Sequence, residues 1–139
     1  MSKEDLKASY TGGCLCGAVR YQVNGPISEP HACHCSQCLR QSGHFAVSAE
    51  AKRSDFVVLE DRGLKWFRSS DFAQRGFCQE CGSALFWDGG DGNINISTGS
   101  LDQPTGLRLA SHIFVDEKAD YYEIADDLPK YAGYDTPLK

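Results

Sequence analysis

Seven cysteines arrive in three short groups: Cys14 and Cys16 in "GGCLCGA" (12–18), Cys33, Cys35 and Cys38 in "HACHCSQCLR" (31–40), and Cys78 with Cys81 in "FCQECGS" (77–83). Thiols bunched in this way constrain the fold more than any hydrophobic pattern in the chain. A disulfide framework wants an even count and an oxidising compartment. The count is odd, and the opening "MSKEDLKASY" has no apolar leader segment, so the expectation is a cytoplasmic chain, where thiols stay reduced. A buried free cysteine packs as a small hydrophobe, but that accounts for single positions and not for clusters. Metal accounts for the clusters.

A structural zinc site is closed by four ligands, often all cysteine. The C-x-x-C of 78–81 is followed by Gly82 in a zinc-knuckle pattern, and Cys14 and Cys16 lie between glycines that let the backbone turn tightly. Joining the two pairs makes a four-thiol staple between the start and the middle of the chain. Cys33, Cys35 and Cys38 remain, and three ligands with an open fourth position are the arrangement of a catalytic zinc. Spacing alone does not force this partition, since His31, His34 or His44 could close the second site. His34, flanked by two ligands, is expected to turn away into a hydrogen-bonding or core role. His112, inside a strand pattern, is expected to be a satisfied structural histidine.

Between the cysteines the chain reads as short strands. "AVRYQV" (18–23) alternates Val19, Tyr21 and Val23 against Arg20 and Gln22. Aromatic and β-branched runs at 44–50, 55–60, 64–69, 74–78, 84–88, 93–98 and 111–116 continue the pattern, with turn signals at 24–26, 61–63, 88–93 and 103–106. The expectation is a mainly β fold in a single domain, 1–139. One short helix fits "SQCLRQSG" (36–43), with Ser36 as N-cap and Gly43 as stop. The tail from 120 onward reads as loop, interrupted by Pro129, Gly133 and Pro137, with Tyr121, Tyr122, Tyr131 and Tyr134 packing it onto the domain. A net charge of −5 argues against a nucleic-acid partner held by phosphate contacts, and no stretch is apolar for the roughly 20 residues a membrane crossing needs.

"GGCLCGAVRYQVNG" (12–25), "CHCSQCLRQSG" (33–43), "FCQECGSALFW" (77–87), "GSLDQP" (99–104) and "HIFVDEKADYYEIADDLPKY" (112–131) together resemble the glutathione-dependent formaldehyde-activating enzymes, in family order across nearly the whole chain. The resemblance implies a zinc-binding β-tent fold of short antiparallel sheets with two zincs per chain. One is structural, on Cys14, Cys16, Cys78 and Cys81; the other is reactive, on Cys33, Cys35 and Cys38. It also implies a carbon–sulfur lyase-type reaction, the making or breaking of an adduct between a small-molecule thiol such as glutathione and a small aldehyde such as formaldehyde. On this reading Arg40 holds a glutathione carboxylate, and Gln41 or Ser42 hydrogen-bonds the same substrate. The competing expectations are a non-catalytic zinc-binding module and a thiol redox sensor whose Cys33, Cys35 and Cys38 release metal on oxidation.

Overall fold

The computed structural model describes residues 9–134; "MSKEDLKA" at the start and "DTPLK" at the end, with Pro137, lie outside the described residues. Ten strands and one α-helix follow in the order β1 (Tyr10–Gly13), β2 (Arg20–Val23), β3 (His31–Cys33), α1 (Ser36–Ser42), β4 (Ala46–Lys52), β5 (Phe56–Glu60), β6 (Leu64–Arg68), β7 (Gln74–Cys78), β8 (Ala84–Asp88), β9 (Asn93–Ser97) and β10 (Ser111–Ile113). The mainly β expectation holds. Among the described residues two compact units emerge, each assembled from separate segments: 9–28 with 49–106, and 29–48 with 107–134.

In the first unit β1, β2 and β5 form an antiparallel three-stranded sheet with β2 in the middle. The two-residue alternation read in β2 is real: Tyr21 and Val23 are fully buried, while Arg20 and Gln22 face outward. Strands β6 to β9 form an antiparallel meander, and the second half of β4 lies beside β9. Ile94 and Ile96 of β9 and Leu85 of β8 are wholly buried, and the Phe86 ring meets Tyr21 edge-on at 5.1 Å. β1 was not legible as a strand because "YTGG" carries two glycines. Gly12 is there for space, since a Cβ would meet the Tyr21 hydroxyl at 2.4 Å and the Ser100 carbonyl oxygen at 2.5 Å.

In the second unit β3 pairs antiparallel with the first half of β4 and parallel with β10. That parallel pair departs from the expected all-antiparallel sheets. It is possible because β10 returns only after the long excursion from 49 to 106, and parallel neighbours need a long connection. β10 is also shorter than the 111–116 reading, because Phe114 turns left-handed (φ 55°) and the chain enters a 3-10 turn at Val115–Glu117. The tail then runs back along β10, with His112 N–H donating to Pro129 O and Tyr131 N–H to His112 O, both at 2.9 Å.

The helix falls where expected and Gly43, at φ 84°, stops it by donating to Leu39 O. Its N-cap, however, is Cys35 and not Ser36: the Cys35 sulfur accepts the Cys38 N–H at 3.3 Å, while the Ser36 N–H is taken by Glu117 Oε1. Of the tail tyrosines, Tyr122 is half-buried and stacks on His34, and Tyr134 meets Phe114 edge-on; Tyr121 and Tyr134 stay largely exposed. Among the described residues no helix is long and apolar enough to cross a membrane.

Candidate metal centres

The first unit brings Cys14, Cys16, Cys78 and Cys81 together, all sulfurs within 4.8 Å of one another. Cys16 Sγ lies 3.8 Å from both Cys14 Sγ and Cys78 Sγ. Four sulfurs at about 2.3 Å from a tetrahedral zinc are about 3.8 Å apart, so the cluster fits that ion. Local structure points the thiols inward. Val19 N–H donates to Cys14 Sγ at 3.2 Å, and Gly82, left-handed at φ 81°, closes the knuckle by donating to Cys78 O at 2.7 Å. The Ser83 hydroxyl, and then its backbone N–H, push the Cys81 thiol down to about 5, so this sulfur is prepared to bind as thiolate.

The second unit gathers Cys33, Cys35 and Cys38 within the same 4.8 Å limit. Cys33 ends β3, Cys35 caps α1, and the buried Cys38 sits in its first turn, so a strand end and a helix start aim three sulfurs at one point. The Cys33 thiol, followed by Cys38, hydrogen-bonds Cys35 and pushes it down to about 2, while the same bond holds Cys33 far above the ordinary thiol range. A thiolate shared between two neighbouring thiols is the donor set a soft divalent ion takes up by displacing their protons.

His34 does turn away from the sulfurs, as its position suggested. It is fully buried, and burial, with His112 next, pushes its imidazole down to about 4. His34 Nε2 meets His112 Nδ1 at 2.8 Å, and His34 Nδ1 bonds the Tyr122 hydroxyl. His112 is satisfied too, its Nε2 lying 2.9 Å from Asp126 Oδ2. His44 Nδ1 is 2.5 Å from the Tyr121 hydroxyl.

An open pocket of about 380 Å³ lies on α1, lined by Ser36, Leu39, Arg40, Gly43, Ala119 and Tyr121. Arg40 is therefore at a cavity. Gln41 is exposed and, like Ser42, is not among the lining residues; the Ser42 hydroxyl donates to Cys38 O at 2.5 Å. The tail residues Tyr121, Tyr122 and Asp126 were not read as site residues. Tyr122 and His34 are 88 positions apart, and no local pattern reports such a pairing.

Fold and site together define a mainly β protein carrying one four-thiol and one three-thiol cluster that could hold metal ions. Residues 9–117 match the family of glutathione-dependent formaldehyde-activating enzymes, and the chain belongs to that family. It is an enzyme of the carbon–sulfur lyase type. The chain is 30% identical over 123 residues to an uncharacterized lyase of Schizosaccharomyces pombe, covering 84% of this chain and 86% of that one. It is 30% identical over 135 residues to an Aspergillus flavus protein named "Putative glutathione-dependent formaldehyde-activating enzyme", covering 91% of this chain but only 62% of that longer relative. A solved Rhodobacter sphaeroides structure is similar at a TM-score of 0.58 and 25% identity, covering 67% of this chain and 88% of that one.

Proposed function

We propose that the chain is a zinc-dependent enzyme that forms or breaks the adduct between glutathione and formaldehyde, in the cytoplasm where glutathione is the abundant thiol. The observation that carries this is the difference between the clusters: four thiols in one and, among the described residues, three in the other. Cys14, Cys16, Cys78 and Cys81 hold a structural zinc, closed to substrate. Cys33, Cys35 and Cys38 hold a second zinc with room for one more donor. When bound, that ion supplies a Lewis acid beside which a thiol stays deprotonated near neutral pH.

The chain's own residues seat and orient the reactants. Arg40, at the pocket, pairs with a glutathione carboxylate in a two-pronged charge-assisted bond. Gln41 offers an exposed amide, and the Ser42 oxygen, its hydrogen given to Cys38 O, keeps a lone pair for a substrate N–H. Leu39, Ala119 and Tyr121 form the apolar wall of the same pocket. With both reactants held, attack becomes effectively unimolecular. The sulfur bonds to the carbonyl carbon, the carbonyl π pair moves to oxygen, and the proton lost by sulfur ends there, so neither oxidant nor reductant is consumed.

The test is calorimetric titration of glutathione into zinc-loaded protein, with Cys35→Ala as control. Binding that disappears in the variant supports a thiol-accepting site on the three-cysteine cluster. No binding to protein holding two zincs refutes the reading.

A further inference from the structure

The pocket on α1 is made by one stripe of the helix and by the tail, all within the second unit. Ser36, Leu39, Arg40 and Gly43 recur at the three- and four-residue spacing of a single helical face, and Ala119 and Tyr121 complete the lining. Ser36 follows Cys35 and Leu39 follows Cys38, so the stripe starts beside two sulfurs of the three-thiol cluster. Polar groups in this lining are sparse. Among the described residues that form it, Arg40 alone carries a charge, and Ser36 supplies a hydroxyl. The Tyr121 oxygen is already engaged, bonded at 2.5 Å to His44 Nδ1, 77 positions away in the chain. The Tyr121 ring also lies 5.4 Å from the His44 ring and 4.9 Å from that of Tyr122, which itself meets His44 edge-on at 4.5 Å. A side chain that is 62% exposed is therefore fixed in place. An exposed hydrogen bond adds little to stability, because water serves the same groups when it opens. Its effect here is on the pocket, where Tyr121 contributes a held ring and not a free hydroxyl.

We infer that Leu39, Ala119 and Tyr121, with Tyr121 held by His44, seat the apolar substituent of an aldehyde larger than formaldehyde. The inference rests on the thiol–aldehyde reading above and names the class of aldehyde: one with an alkyl chain or aryl ring on the carbonyl carbon. Formaldehyde has only hydrogens there and leaves the wall of a pocket of about 380 Å³ unused. The peptide body of glutathione does not match that wall either. Its amides and charged ends would lose water against Leu39, Ala119 and the Tyr121 ring without gaining a partner, while its carboxylate goes to Arg40. An alkyl or aryl group gains free energy from the same burial. His44 is a positioning residue: a loose Tyr121 ring would have to be ordered by every incoming substrate, and the bond orders it beforehand. The reaction is the one derived above with a carbon group in place of one hydrogen. The sulfur–carbon bond forms, the carbonyl π pair moves to oxygen, and the thiol's proton ends on that oxygen, so no oxidant or reductant is needed.

Zinc-loaded wild type is titrated calorimetrically with S-methylglutathione and S-butylglutathione, which have no thiol to offer a metal. It is also assayed with glutathione and formaldehyde, acetaldehyde or pentanal, the last two being alike in carbonyl reactivity. Each half-buried methylene is worth about twofold, so the butyl compound should bind about tenfold tighter than the methyl one. Pentanal should exceed acetaldehyde in kcat/KM by about the same tenfold. Tyr121→Ala should abolish both ratios. His44→Phe and Tyr121→Phe, which keep the rings and lose the bond, should each cut them by about threefold, as expected when a side chain must be ordered on binding. Zinc content and circular dichroism check that each variant is folded, and the wild-type ratios decide the matter if one is not. A wild type that turns over formaldehyde but gains nothing from the longer chains overturns the inference and leaves the thiol–aldehyde reading standing. Folded variants that keep the wild-type ratios overturn it too. A wild type inactive with every aldehyde, formaldehyde included, overturns that reading and the inference with it.

Discussion

Replacing Gly63 with alanine is expected to strip metal from the four-thiol cluster although Gly63 is not a ligand. The residue sits between β5 and β6 and is glycine for space: a Cβ there would lie 2.7 Å from Cys78 Sγ and 2.8 Å from Ala18 Cβ. Ordinary contact begins at 3.4 Å, so about 0.7 Å has to be found. Neither neighbour has slack, since Cys78 and Ala18 are both 0% exposed. Gly63 itself is tied on both sides, its N–H to Ala18 O at 2.9 Å and its carbonyl to Gln79 N–H at 2.7 Å. Metal–ligand distances tolerate about 0.2 Å, so a sulfur displaced three times that far no longer coordinates. Overpacking adds about 1–3 kcal/mol of destabilisation before the loss of metal is counted. The assay is zinc per chain after gel filtration, together with urea unfolding with and without a chelator. Gly63→Ala should retain one zinc of two and unfold at lower urea. Gly99→Ala, where a Cβ meets nothing within 4 Å, should retain both. Wild-type zinc content and unfolding midpoint in Gly63→Ala would refute the reasoning.

Cys38→Ser should lose one zinc and keep the other, with the β fold retained by circular dichroism; global unfolding would mean that the second cluster is a structural staple as well. A pH effect is expected from Tyr21, whose phenol burial pushes up to about 12, with the Ser100 hydroxyl bond working against it. Its folded value lies above the unfolded value of about 10, so the contribution is complete below pH 10 and is lost as pH rises to 12. Two pH units correspond to about 3 kcal/mol. Urea unfolding of Tyr21→Phe between pH 9 and 11 should show a shallower alkaline decline than wild type, with little change at neutral pH because Ser100 Oγ keeps its bond to Ser97 O; equal declines would show that Tyr21 is not the group responsible.

The strands that were legible in the sequence are those whose own residues alternate or carry β-branched and aromatic side chains. β7 and β8 fall on the expected 74–78 and 84–88, because the pattern and the turns around it agree. β3, "HAC", was invisible because three residues hold no period and its partner in the parallel pair is some eighty positions away. The N-cap went to Cys35 because a sulfur already turned toward the cluster was also positioned to accept the Cys38 amide, a competition that cap preferences do not register. The cysteine groups that could hold metal were legible because their members lie two or three positions apart, whereas spacing alone did not fix which groups join. The Asp126–His112–His34–Tyr122 row was not legible, since its members come from the cysteine segment, a distant strand and an irregular tail.

Because each unit is stitched from separate segments, the ribosome delivers its parts at different times. Cys16 and Cys78 are 62 positions apart, an interval of roughly 3–12 s at ordinary synthesis rates. His34 waits longer still, for a partner 78 positions downstream. The triplet of Cys33, Cys35 and Cys38 spans six residues and is complete almost as soon as it leaves the exit tunnel. During birth the chain therefore completes its three-thiol cluster before its four-thiol cluster, and the tail segment that meets the histidine pair arrives later still.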